Sequence, residues 1–226
     1  MHYETIQFIL ELVGSVSFAI SGALLGIRRS MDIFGTIVLG VVTAVGGGMI
    51  RDIALGITPP MAFTDSRLTL ISFLVSVFVF WIFYRRGDHL NGRFLITFEK
   101  YLVIFDAVGL GAFTIVGMNT AAATGYMDHR FLILFCGMVT GIGGGIIRDL
   151  LAGIIPFVFI RQIYAVASFL GGLLYLLTYQ SLGPSFAMIL GFVGVVFVRL
   201  FSYSRNWNLP RIMVEEVEER RDKRDE

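Results

Sequence analysis

The 226-residue chain has one cysteine, three histidines, five prolines and few charges. A single thiol, Cys136, excludes an intramolecular disulfide and any multi-thiolate metal site. His2, His89 and His129 lie far apart in sequence and show no ligand spacing, so no metal is expected. No Ser-His-Asp constellation supports an enzyme, and no cofactor is expected. Charged residues make up 15% of the chain, against about 25% in soluble domains. The 18 Lys and Arg nearly cancel the 17 Asp and Glu, leaving +1 and excluding a broadly basic nucleic-acid binder. In place of charge the chain carries 56% hydrophobic residues and a mean hydropathy of +0.78. Such a surplus exceeds what a core can hold, and something other than water must cover it. The fold class is therefore all-α integral membrane.

A bilayer-crossing helix needs about 20 mostly apolar residues. Stretches of this kind occupy 6–27, 33–63, 68–84, 101–122, 131–160, 163–178 and 185–201, which predicts seven transmembrane helices. The first carries Glu11 inside its apolar run and lacks a basic leader, so it reads as a true span rather than a signal peptide. Arg28, Arg29, Arg85, Arg86, Arg93, Arg161, Arg205 and Arg211 fall on one side of this arrangement. Arg67 and Arg130 fall on the other. Basic loops stay in the cytoplasm, so the N-terminus is expected outside and the C-terminus inside a multi-pass protein of the cell membrane.

The chain repeats itself. Gly46, Gly47, Gly48, Arg51, Asp52, Gly56 and Pro59 recur as Gly143, Gly144, Gly145, Arg148, Asp149, Gly153 and Pro156, at one constant offset of 97. Thr43 and Thr140 match at the same offset. In the preceding helices Glu11, Gly14, Phe18 and Gly22 recur as Asp106, Gly109, Phe113 and Gly117. Each copy holds three spans, and an odd number forces the second copy to enter the membrane from the opposite face. Residues 1–90 and 91–182 are therefore read as two inverted repeats, with a seventh helix at 183–204 and a charged cytoplasmic tail at 205–226. Inverted repeats are a plan common to transporters.

Segments 33–63 and 131–160 are long for single spans, and each has a glycine triplet near its middle. Glycine costs about 1 kcal/mol against alanine in a helix interior. The triplets predict helices 2 and 5 broken or kinked at mid-membrane; the competing reading is close helix approach across small residues. Arg51, Asp52, Arg148 and Asp149 follow three and four positions later, within the membrane thickness. Intramembrane charges usually face a bundle interior and mark a pathway. Sequence neighbours diverge on a helix, so the symmetry suggests Arg51 paired with Asp149 and Arg148 with Asp52, as a gate or as a structural clasp. Glu11 and Asp106 bring the interior count to two positive and four negative charges. Ser15, Ser17, Ser21, Thr43, Thr114 and Thr140 either line a wet path or bond the carbonyl four residues back.

Two Gly-Gly-Gly-x-x-Arg-Asp motifs in a three-plus-three repeat with a seventh helix resemble the trimeric intracellular cation (TRIC) channel family, in its prokaryotic branch. The resemblance spans 6–201. It implies a homotrimer with one pore per protomer, permeable to potassium and also sodium ions, in contact with membrane lipids. It implies kinks at Gly46, Gly47, Gly48, Gly143, Gly144 and Gly145, with the pore between the repeats. Arg51, Asp52, Arg148 and Asp149 then control the constriction, and Glu11, Asp106, Thr43 and Thr140 are candidate pore-lining residues. Animal members bind a phosphoinositide through a lysine near the corresponding glycines; no lysine stands near either triplet here, so that site is not carried over. The same domain is associated with glycine transport, which leaves a secondary transporter of glycine or another small zwitterion as the alternative. A third reading, a non-transporting scaffold, would leave the charges as clasps only. Trp81 and Tyr84 are expected as interfacial anchors, and Cys136 as an inert small hydrophobe.

Overall fold

The computed structural model describes residues 3–86, 92–160, 163–205 and 207, and every regular element among them is helical. In chain order these are α1 (Tyr3–Arg28), α2 (Ile33–Ala54), α3 (Met61–Thr64), α4 (Arg67–Arg86) and α5 (Gly92–Ala121). A π-helical turn (Ala122–Tyr126) extends α5 and is followed by α6 (Arg130–Leu151), α7 (Phe157–Ile160), α8 (Tyr164–Leu182) and α9 (Pro184–Ser204). Among the described residues seven helices are long and apolar enough to span a membrane; α3 and α7 are the short ones. The chain is a multi-pass membrane protein. The tail beyond Trp207, together with Arg161, His2 and His89, lies outside the described residues.

Local chemistry sets the helix ends. Asp32 caps α2 by accepting the Gly35 N–H at 2.7 Å. Gly183, at φ 78°, turns the chain into Pro184, whose fixed φ suits the first residue of α9. Segments 33–63 and 131–160 each divide, but beyond their glycine triplets rather than at them. α2 and α6 run as unbroken helices through their glycine triplets, and the chain leaves the helix only later. There Gly56 (φ 73°) and Gly153 (φ 66°) adopt the left-handed conformation. The N–H of Ile57 reaches back to the Asp52 carbonyl at 2.8 Å, and that of Ile154 to the Asp149 carbonyl at 3.0 Å. These bonds satisfy carbonyls that a helix end leaves open. Short helices α3 and α7 then complete the two segments.

The middle glycines of the triplets are where α2 and α6 cross. A Cβ on Gly47 would overlap the Thr140 carbonyl oxygen, and one on Gly144 would overlap the Thr43 carbonyl oxygen. Backbone meets backbone there, as small residues permit in membrane bundles. The close-approach reading of the triplets therefore holds at their middle positions.

Helix α5 forms the centre of the bundle, with α1, α6, α8 and α9 against it. Leu102, Ala107, Leu110, Ile115 and Met118 are buried along it. Phe18 and Phe113, matched residues of the two copies, meet at a ring-centroid distance of 5.2 Å. The periphery is apolar and exposed: Leu74, Phe78 and Trp81 on α4, Leu177 on α8, and Phe186 and Phe197 on α9. This is the surface that composition requires lipid or a neighbouring subunit to cover.

Candidate functional site

Each Arg-Asp pair lies in the last turns of its helix, just past the glycine crossing. Asp52 and Asp149 use one carboxylate oxygen in the same way. Asp52 Oδ2 accepts the Met61 N–H at 2.8 Å, and Asp149 Oδ2 accepts the Phe157 N–H at 2.8 Å. Each aspartate thus ties the end of a spanning helix to the short helix that follows. The other oxygen, Oδ1, receives the neighbouring arginine. Arg51 donates to Asp52 Oδ1 from Nε at 2.9 Å and from Nη2 at 2.6 Å. Arg148 Nε donates to Asp149 Oδ1 at 2.9 Å.

These contacts correct the pairing expected from the sequence. Arg51 bonds Asp52, not Asp149, and Arg148 bonds Asp149, not Asp52. Helix neighbours diverge when their side chains are short. A guanidinium on a three-carbon stem swings around the helix, and the aspartate it meets is already fixed by the backbone N–H of the next element.

Beyond these shared contacts the two sites differ. Arg148 is fully enclosed, with 0% of its side chain exposed. Its Nη1 donates to Asp106 Oδ1 on α5 at 2.6 Å and to Ser21 Oγ on α1 at 2.6 Å. The ring of Phe157 lies 5.3 Å from the guanidinium carbon. At the other site Glu11, the match of Asp106, accepts from Gln7 Nε2 at 3.0 Å, and among the described residues no ion pair joins it to Arg51. Val116 occupies the position that matches Ser21. Where Arg148 is sealed by a carboxylate and a hydroxyl, Arg51 instead borders a cavity of about 120 Å³. Glu11, Ser15, Gly48, Asp52 and Asp65 line that cavity, which reaches Phe113, Val116 and Thr140 at the helix crossing.

At the mouth of the cavity Asp65, outside the spans, forms an exposed pair with Arg67, the first residue of α4, with Nη2–Oδ2 at 2.5 Å. The hydrogen bonds from Arg67 pull the Asp65 carboxyl down to about 2, so it is ionised at any physiological pH.

The hydroxyls divide between the two readings offered for them. Thr43, Thr114 and Thr140 bond the carbonyls of Leu39, Leu110 and Cys136, four residues back. Thr43 is buried away from the cavity, whereas Thr140 and Ser15 line it. Thr114 also shares a 2.8 Å hydrogen bond with Ser168 on α8. Ser21 engages Arg148. Two buried polar residues near Arg148 were not singled out from the sequence. Arg199 on α9 stacks over the Tyr164 ring at 4.9 Å, and both are buried. A charge inside the apolar run 185–201 was the available signal for Arg199; Tyr164, at the start of its helix, gave none.

A family profile described as "Glycine transporter" matches residues 8–85 and again 103–180. A UPF0126 membrane protein of Deinococcus radiodurans is 40% identical over 201 residues, covering 88% of this chain and 87% of its own length. The UPF0126 inner membrane protein YadS of Escherichia coli K12 is 37% identical over 210 residues, covering 92% and 96%. Among solved structures, a prokaryotic TRIC channel crystallised in 0.5 M KCl superposes with TM-score 0.81 at 35% identity, over 91% of this chain and all of that one. This chain belongs to the prokaryotic TRIC family. The Rhodobacter sphaeroides TRIC orthologue gives TM-score 0.79 at 32% identity, over 90% of this chain and 100% of that one. The TRIC fold thus extends over about nine-tenths of the chain.

Proposed function

We propose that this TRIC-family chain is a channel for monovalent cations, potassium among them, with a pore through each protomer of a homotrimer. The family relationship supports the class of activity. The observation that carries the reading is the difference between the two Arg-Asp sites. A cavity bordered by Glu11, Asp52 and Asp65 enters the protomer and ends at the glycine crossing. Beyond that crossing the route is closed by Arg148, held by Asp106, Asp149 and Ser21. Acidic linings concentrate cations at a pore mouth, and a buried arginine at the far side closes the path to them.

In this reading residues 1–90 and 91–182 are two inverted copies. The Arg51 site faces the outside with the N-terminus, and the Arg148 site and the C-terminus face the cytoplasm. The glycines beside the crossing, Gly46, Gly48, Gly143 and Gly145, supply the backbone freedom for the helices to shift during gating. Arg51, Asp52, Arg148 and Asp149 set the constriction, and Thr140 lines the approach to it.

Recording from purified protein in a planar bilayer under asymmetric KCl tests the reading. Discrete current steps that reverse near the potassium potential are expected, and Arg148→Ala should raise the fraction of time open. A silent bilayer together with saturable uptake of labelled glycine into liposomes would overturn it in favour of a transporter.

A further inference from the structure

The oxygens around Arg148 do more than hold one side chain. We propose that the Arg148 guanidinium occupies a binding site for a monovalent cation, formed by Asp106, Asp149, Ser21 and Tyr164, and that a permeating ion replaces it there. The inference rests on the channel reading and names a site within it.

The Arg148 guanidinium donates its hydrogen bonds to side-chain oxygens. Asp106 Oδ1 and Ser21 Oγ lie at 2.6 Å and Asp149 Oδ1 at 2.9 Å. They come from three helices, α5, α1 and α6, and so surround the group rather than flank it. Carboxylate and hydroxyl oxygens are the hard ligands that alkali cations take in place of water. Ser21, Asp106, Arg148 and Asp149 are each at most 1% exposed, so whatever fills this space does so without bulk water.

The cluster also has more acceptor capacity than Arg148 uses. Among the described residues, Asp106 Oδ2 and Tyr164 Oη are buried without a hydrogen-bond partner. A Cβ added to Gly145 would lie 3.0 Å from Tyr164 Oη and 3.8 Å from Arg148 Nη2, which brings the hydroxyl and the guanidinium over the same glycine. Buried polar atoms without partners carry a desolvation cost. A spherical cation, unlike a planar guanidinium, takes ligands from all directions and would engage both.

Charge selects the class of ion. Between Asp106 and Asp149 the Arg148 guanidinium contributes one positive charge. Withdrawing Arg148 removes that single charge and leaves a vacancy for one monovalent cation. The Arg51 site cannot form an equivalent. Val116 replaces the hydroxyl of Ser21, and Glu11 is turned to Gln7.

The test measures binding, not current. Arg148→Gln removes the tethered charge and leaves the oxygens. Its melting temperature in detergent should rise by about 3–5 °C in about 0.3 M KCl over equal N-methylglucamine chloride. The unmodified protein should show no such difference. Arg148→Gln combined with Asp106→Asn, which removes one charge of each sign, should fold in either salt and lose the dependence. A single variant that folds but ignores the cation overturns the proposal. So does one that fails in both salts while the double variant folds, because potassium would then be unable to replace the guanidinium. Wild-type channel currents with no cation effect on Arg148→Gln would sink this site and leave the channel reading intact. A cation effect with silent bilayers would do the reverse.

Discussion

Ser21 and Arg148 are separated by 127 positions in sequence and by 2.6 Å in space. The bond joins the first helix of one copy to the last turn of the second helix of the other. It helps seal Arg148, whereas at the Arg51 site the position that matches Ser21 holds Val116.

Removing that hydroxyl should loosen the closed state without altering any charge. A hydrogen bond to a charged group contributes about 1.5–3 kcal/mol. Ser21→Ala is expected to raise the open-to-closed ratio by about one to two powers of ten. Single-channel open probability reads this directly, and an unchanged value would mean that the seal lies elsewhere.

The two matched acids should differ in weight. Asp106→Asn breaks a buried ion pair, a loss of about 3–5 kcal/mol when one partner stays charged. Glu11→Gln removes only a partly buried bond from Gln7, and its cost should stay below about 1.5 kcal/mol. Thermal unfolding of both variants, followed by size-exclusion chromatography in detergent, gives the comparison. Equal losses would contradict the asymmetry of the two sites.

Within the glycine triplets, position should decide tolerance. At Gly47 and Gly144 a methyl group would overlap a backbone carbonyl of the opposite helix, which cannot yield as a side chain does. Gly47→Ala and Gly144→Ala should each destabilise by about 3 kcal/mol or more, at or above the upper end of overpacking costs. Gly48→Ala meets only Arg51 Nη2, at 3.7 Å, and should fold normally. Yield and monodispersity of the three variants separate these outcomes.

Acid should leave the cavity mouth charged. The Asp65 carboxyl is lowered to about 2, so whatever stability its pair with Arg67 adds is present above the unfolded value of 3.8 and fades as pH falls through about 2. Asp65→Asn should therefore reduce current at low salt by nearly the same fraction at pH 7 and at about pH 3, with screening shrinking the effect in high salt. An effect that vanishes at the lower pH would show an Asp65 of ordinary acidity.

Much of this architecture is legible in the sequence because the bilayer restricts the choices. Apolar runs bounded by arginines mark the spans, and the doubled Gly-Gly-Gly-x-x-Arg-Asp motif marks both charged sites. Helix continuity through the triplets was not legible. Glycine weakens an isolated helix, but here each triplet lies against another backbone that packing holds in place. Nor was the pairing of each arginine with its own neighbour. It depends on Met61 and Phe157 presenting N–H groups to Asp52 and Asp149, and those groups become available only once Gly56 and Gly153 have turned the chain back. The unlike environments of Arg51 and Arg148 hinge on Ser21 against Val116, a difference that a search for similarity passes over.

The crossing of α2 and α6 also sets how the two ends of these helices can move. At Gly47 and Gly144 no side chains interlock, so the contact is a fulcrum between two rods. On either side stand Ile147, whose Cδ1 would lie 2.8 Å from a Cβ on Gly46, and Ile50, whose Cδ1 would lie 3.2 Å from one on Gly143. Tilting one rod about that point would swing its two ends in opposite senses and press one isoleucine harder against the glycine it already packs on. Any such motion would take its axis from the glycine contact and meet its resistance in the paired isoleucines.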